Sequence, residues 1–309
     1  MKFTINKILI ALLIFLHIKI ASAMELSITI DDLPANGNIS TQTTRMEIAQ
    51  KILSVFKKHH ITGVYGLING NTVDSTPNGL AILQEWIKEG HALGNHTFHH
   101  LDVAKTESIE YITDIQKNEP ILNLLMTDKD YHYFRYPFLS EGNTQEKRDA
   151  VRNYLFKNNY KIAPVTVDFF EYEWNDPYVR CLNKHDKKSI EWLKKTYLEQ
   201  ANNALVISHE LSKMLFNRDI KNVLLIHINS FTAEMLDELL TNYEKQNIKF
   251  TSLKDALSDP VYQINPNIVR DRAYTFLNQI RLSRGLENPE IVEKLYNTLP
   301  EDKLDQLCR

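Results

Sequence analysis

Short runs rich in β-branched residues alternate with amphipathic stretches along most of the chain, and few folds accommodate that order. Glu25 to Ile30 (ELSITI) predicts a strand, and Met46 to His59 a helix with Ile48, Ile52, Val55 and Phe56 on one face. Further strands are expected over Val64 to Ile68, His91 to Asn95, Tyr131 to Tyr136, Tyr160 to Val167, Asn222 to Ile228 and Ile248 to Thr251. Helices are expected between them over Leu80 to Lys88, Ile109 to Leu125, Gln145 to Asn158, Ser189 to Phe216 and Thr232 to Tyr243. A helical tail including Arg272 to Arg284 follows. Such alternation predicts an α/β fold, a parallel sheet with helices outside, either open or closed into a barrel.

There is no fixed-period repeat and no linker rich in Gly, Pro or Ser, so one domain over residues 24–257 is expected, with a helical extension over 258–309. Lys2 and Lys7 precede an apolar run from Ile8 to Leu16, and Ala21-Ser22-Ala23 offers small residues for cleavage. Residues 1–23 are therefore read as a secretory signal, too short to span a bilayer, and the protein as exported, periplasmic or secreted. Removing them takes away three lysines and no acid, leaving 33 basic and 39 acidic residues. That balance excludes a general nucleic-acid binder, which needs a basic excess, and no later segment is apolar for long enough to cross a membrane. Only Cys181 and Cys308 are present, and an oxidising compartment would permit them to pair; spacing alone leaves the pairing open.

Several expected strands end in polar groups that a buried sheet would not choose for packing. The first runs into Asp31-Asp32, the third into His96-Thr97-Phe98-His99-His100, and the fourth into Arg135-Tyr136-Pro137-Phe138. The fifth runs into Asp168, and the sixth contains His227. Carboxyl ends of parallel strands lie on one side of the sheet, so these groups can converge. Adjacent carboxylates on an extended chain point in opposite directions, which would give Asp31 and Asp32 separate tasks. His96 and His100, four apart, would share one side of a helical turn, with His99 the competing ligand. Two histidines and a carboxylate suit a catalytic metal with an open position. Arg135 could orient a carboxylate, and Asp168 or Glu171 could hold His227 protonated.

In order and spacing these segments resemble the polysaccharide deacetylase family, the NodB-like carbohydrate esterases. The carriers are Thr29-Ile30-Asp31-Asp32, His96 to His100 after Gly94-Asn95, Arg135 to Phe138, Asp168 to Tyr172, and Leu225-Ile226-His227. In the fourth motif Glu171 stands for Asp and Tyr172 for Trp. The resemblance implies a distorted (β/α) barrel of about seven parallel strands. It implies a divalent metal on Asp32, His96 and His100, zinc foremost, with cobalt, nickel and iron as alternatives. Asp31 would be the base, Arg135 its orienting partner and His227 the acid. Leu225 would line an acetyl pocket, and Phe138 would donate its backbone N–H to an oxyanion. Asp168 would take over if Glu171 misplaces its carboxylate, and Tyr172 and Trp174 stand near the expected pocket wall. The implied activity is N-deacetylation of an acetylated carbohydrate. O-deacetylation, hydrolysis of a non-sugar amide on the same site, or a catalytically silent metal- or glycan-binding module are the alternatives.

Overall fold

The computed structural model describes residues 23–270 and 274–309, so almost all of the expected signal and the start of the expected tail helix lie outside the described residues. The chain begins β1 (Glu25–Leu33), α1 (Arg45–Lys58), β2 (Tyr65–Ile68), α2 (Gly70–Ser75), α3 (Gly79–Lys88), β3 (Ala92–Asn95) and α4 (Ser108–Leu125). It continues with β4 (Tyr133–Phe134), α5 (Gln145–Lys157), β5 (Lys161–Ile162), α6 (Asn175–Asn183), α7 (Lys187–Phe216), β6 (Asn222–His227), α8 (Ser230–Lys245) and β7 (Lys249–Thr251). The last elements are α9 (Leu253–Ala256), α10 (Phe276–Ser283), α11 (Glu290–Tyr296) and α12 (Glu301–Gln306).

All strand pairs are parallel, in the order β5-β4-β3-β2-β1-β6, with β7 pairing the start of β1. The result is a curled sheet covered by helices, the distorted barrel that the resemblance implies. β1 is buried along nearly its whole length, as a strand covered on both faces must be. α1 starts with a capping box in which the Thr44 side chain accepts from the Glu47 N–H and Glu47 reaches back to the Thr44 N–H. Its apolar face, with Ile48, Ile52 and Phe56, enters the main core.

The expected strand from Tyr160 to Val167 is cut short. Pro164 cannot donate to a ladder, and the chain changes partners around it. The Ala163 N–H still donates to Phe134 O in β4, whereas the N–H groups of Thr166 and Val167 donate to Val223 O in β6. One segment thus bridges the two margins of the sheet and brings residues 168–171 beside the end of β6. α2 and α6 were not expected: α2 spans only six residues, and Pro177 obscured the second. α10 and α11 pack on α7, and Leu304 of α12 is buried in the main core. Cys181 in α6 and Cys308 after α12 form a disulfide. No described helix is long and apolar enough to cross a membrane.

Candidate active site

β1 carries the two carboxylates. Thr29 and Asp31 are the register partners of Leu225 and His227 in β6, so Asp31 and His227 end adjacent strands side by side. The expectation that Asp31 and Asp32 diverge is overturned. Asp32 has φ +65°, and the β1–β2 register shifts between Ile30 and Leu33, which breaks the two-residue alternation. Both carboxylates consequently face His96: Asp31 Oδ2 and Asp32 Oδ1 each lie 3.6 Å from its Nε2.

The histidine segment departs from expectation in the same way. Residues 96–100 form a loop instead of a helical turn, with Thr97 and His100 at φ +62° and +56°. Buried amides fix this loop: Asn95 Oδ1 accepts the Thr97 N–H at 2.9 Å, and Asn69 Nδ2 donates to His96 O at 2.7 Å. Asn118 in α4 donates to Asn95 Oδ1 at 3.1 Å. Asn69 and Asn118 were not singled out from the sequence. The signal for Asn69 was available, an amide directly after β2; Asn118 sits mid-helix and carried none. His99 turns away, donating its Nδ1–H to Asp114 Oδ1 at 2.5 Å, and stands apart from His96 and His100.

The buried His96 donates its Nδ1–H to Arg135 O at 2.8 Å, which directs Nε2 into the cleft. Burial, with His100 beside it, pushes its pKa down to about 3 and keeps the ring neutral, the form that binds metal. His100 Nε2 lies 3.4 Å from Asp32 Oδ1, and one ligand atom from each of Asp32, His96 and His100 lies within 4.8 Å of the others. Asp32 Oδ2 accepts from Asn36 at 2.7 Å, whereas its buried Oδ1 has no hydrogen-bond partner among the described residues. An orphaned carboxylate oxygen facing two imidazole nitrogens fits a divalent cation, and this N₂O donor set suits zinc and its neighbours in the first transition row.

Arg135, buried, donates from Nη1 to Asp31 Oδ1 at 2.6 Å and to Thr29 Oγ1 at 2.7 Å, and from Nε to Ala163 O at 3.0 Å. Asp31 is thereby fixed from the side away from the histidines. His227 is held by Glu171. Its Nδ1–H donates to Glu171 Oε2 at 2.8 Å, and its backbone N–H to Oε1 at 2.7 Å. Glu171 Oε1 also accepts from Asn229 Nδ2 at 3.1 Å and Thr232 Oγ1 at 3.2 Å. Burial works against a charged imidazole here, but the Glu171 carboxylate, with Asp32 and Asp31 nearby, outweighs it and raises His227 to about 10.

Glu171 is therefore not displaced, and Asp168 does not replace it. Asp168 Oδ1 accepts the Phe170 N–H at 2.9 Å, and burial pushes its carboxyl up to about 6. Leu225 shares the face of β6 with His227, two residues away. Phe138, at φ +56°, is 54% exposed with its ring edge-on to His100 at 4.6 Å. Tyr172 reaches the cleft, its ring 5.3 Å from that of His227. Trp174 does not: it is fully buried, and its Nε1–H donates to Thr196 Oγ1 at 3.0 Å.

Comparison with known proteins follows the same lines. Residues 20–163 match the polysaccharide deacetylase family. Over 210 residues the chain is 26% identical to peptidoglycan-N-acetylmuramic acid deacetylase PdaA of Bacillus subtilis, covering 67% of this chain and 65% of that protein. It spans less than two thirds of the length of the curated relatives it matches, with shares of 65%, 32% and 48%. A chitin deacetylase structure from Colletotrichum lindemuthianum superposes with a TM-score of 0.53 at 16% identity, over 77% of this chain and 88% of that one. A CE4 family pseudoenzyme from Bacillus anthracis gives 0.53 at 20% identity, over 76% and 66%. At such identities the two structures establish a shared fold.

Proposed function

The chain belongs to the polysaccharide deacetylase family, and we propose that it is a metal-dependent hydrolase that removes N-acetyl groups from an amino-sugar polysaccharide or oligosaccharide, releasing acetate. The observation that carries this is the pair of buried couples at the ends of adjacent strands, Asp31 on Arg135 and His227 on Glu171, beside the Asp32, His96 and His100 cluster. Relatives named as deacetylases of peptidoglycan and chitin support a polymer of that chemistry as substrate. We assign residues 24–257 as the catalytic unit and 258–309 as its extension, and retain export through residues 1–23.

Held by Asp32, His96 and His100, a divalent cation would supply Lewis acidity toward a carbonyl oxygen and toward water. The chain's own residues carry the proton traffic. Asp31, oriented by Arg135, takes a proton from the water that attacks the amide carbon. The Phe138 N–H donates to the oxygen on which negative charge develops. His227, kept charged by Glu171, passes the Nε2 proton to the nitrogen as the C–N bond breaks, because an unprotonated amine leaves poorly. Leu225 borders the space for the acetyl methyl.

Acetate release from N-acetylated oligosaccharides, beside acetyl-xylan and simple acetyl esters, tests the proposal with and without chelator and restored metal. Release from the amides, abolished by chelator and recovered with zinc or cobalt, is expected. Release from esters alone would move the assignment to O-deacetylation. Tight metal binding without turnover would make the protein a silent binding module.

A further inference from the structure

Two phenylalanines at the rim adopt a backbone conformation that bulky residues rarely take. Phe138 and Phe170 both have φ +56°, and the two residues are 54% and 40% exposed. Phe138 follows β4 and abuts His100; Phe170 lies on the segment that joins β6, near Tyr172. In the sheet order β4 and β6 lie on opposite sides of β1, the strand that bears Asp31. One exposed ring therefore stands on the metal-ligand side of the cleft and one on the acid side.

The geometry points to Phe170 as a stacking platform for a sugar ring, a subsite for the pyranose next to the one being deacetylated, on the His227 side. This rests on the proposed deacetylase activity and extends it to recognition of the neighbouring residue. The left-handed turn at Phe170 is built, with its N–H donated to Asp168 Oδ1 at 2.9 Å and its carbonyl accepting the Glu173 N–H at 3.0 Å. Phe170 borders a half-open depression of about 30 Å³, together with Ala204 and Ile207 of α7 and Leu295 and Tyr296 of the C-terminal extension. That space is far too small for a sugar, so a ligand would meet the ring outside it. Tyr172, 42% exposed, stands edge-on to Phe170 with centroids 6.5 Å apart and edge-on to His227 at 5.3 Å. A flat aromatic face leading out from the acid suits a pyranose, which presents an apolar C–H face and a rim of hydroxyls. The extension, which borders the same depression, would thereby contribute to substrate choice.

The test compares wild type, Phe170→Ala and Phe170→Trp on N-acetylglucosamine oligomers of one to six residues, reading KM for acetate release against chain length. The wild type should gain affinity as the oligomer lengthens. Phe170→Ala should lose about 3- to 10-fold of that gain, and Phe170→Trp should restore it, since a merely structural role would not be rescued by a larger ring. An unchanged length dependence in Phe170→Ala, or no rescue by Trp, overturns the platform. Calorimetric binding of the hexamer to the same three proteins decides the matter separately from turnover. A wild type that binds without hydrolysis refutes the deacetylase assignment while leaving Phe170 testable, and a wild type that neither binds nor hydrolyses the hexamer overturns the platform as well.

Discussion

One methylene separates glutamate from aspartate, and at position 171 the glutamate carboxylate serves four donors. Oε2 takes the His227 ring, while Oε1 gathers the His227 N–H, Asn229 and Thr232. The charge on Glu171 opposes the burial that would otherwise strip His227 of its proton. Glu171→Gln keeps the shape and removes the charge, leaving burial opposed by Asp32 and Asp31 alone. The imidazole should then lose its proton at lower pH, and the basic limb of kcat/KM should move down by about 1–3 pH units. A pH–rate profile of the two proteins checks this, and coincident basic limbs would show that Glu171 does not set the charge of the acid. Asp31→Asn and His227→Ala should each lose at least about 100-fold in kcat, with metal content unchanged on elemental analysis. Near-normal turnover by either variant would contradict its role as base or acid.

At the scale of elements, the site is assembled where one element hands over to the next. Asn229 illustrates this: its Oδ1 caps α8 by accepting the Thr232 N–H at 2.7 Å, while its Nδ2 donates to Glu171. Asn229→Ser retains a capping oxygen and loses the second donor. Its melting temperature should stay close to wild type while kcat falls, whereas Asn229→Ala should lose about 1 kcal/mol of stability as well. Thermal melts and initial rates on the three proteins separate the two duties, and an Asn229→Ser variant with wild-type kcat would mean that the cap alone matters. The ends of the strands were legible because polar residues after apolar runs are conspicuous. What the sequence concealed were the left-handed residues there. Asp32, Thr97, His100, Phe138 and Phe170 all have positive φ, and none is glycine. Periodicity assumes an extended or helical chain, so it sent Asp31 and Asp32 apart and wound His96 to His100 into a helix. The hydrogen bonds that support two of these turns, Asn95 to Thr97 and Asp168 to Phe170, involve polar side chains that pattern alone does not distinguish from ordinary turn residues.

For the whole molecule, strand–helix alternation carried the architecture, but the long-range closures had no local signature. Pro164 hinted that the fifth strand would fail, not that its continuation would cross to β6. The two cysteines were visible, yet spacing does not fix whether Cα atoms 127 positions apart come within bridging distance. Closing so long a loop limits the unfolded chain, so Cys181→Ala with Cys308→Ala should cost about 2–5 kcal/mol, measured as a lower urea midpoint that reductant no longer affects. The native tail has other attachments. Arg180 in α6 donates to the carbonyls of Leu304 and Leu307 at 2.9 and 3.0 Å, and Gln200 in α7 donates to Thr298 O at 2.9 Å. Glu171, meanwhile, is held by donors from β6 and the start of α8, none of which belongs to the tail. In buffer without denaturant the double variant should therefore keep kcat within about 2-fold of wild type, because stability lost through the unfolded state leaves native geometry in place. A collapse of kcat in a protein whose near-ultraviolet circular dichroism remains native would show instead that the tail holds α6, and through it Glu171, in the catalytic position.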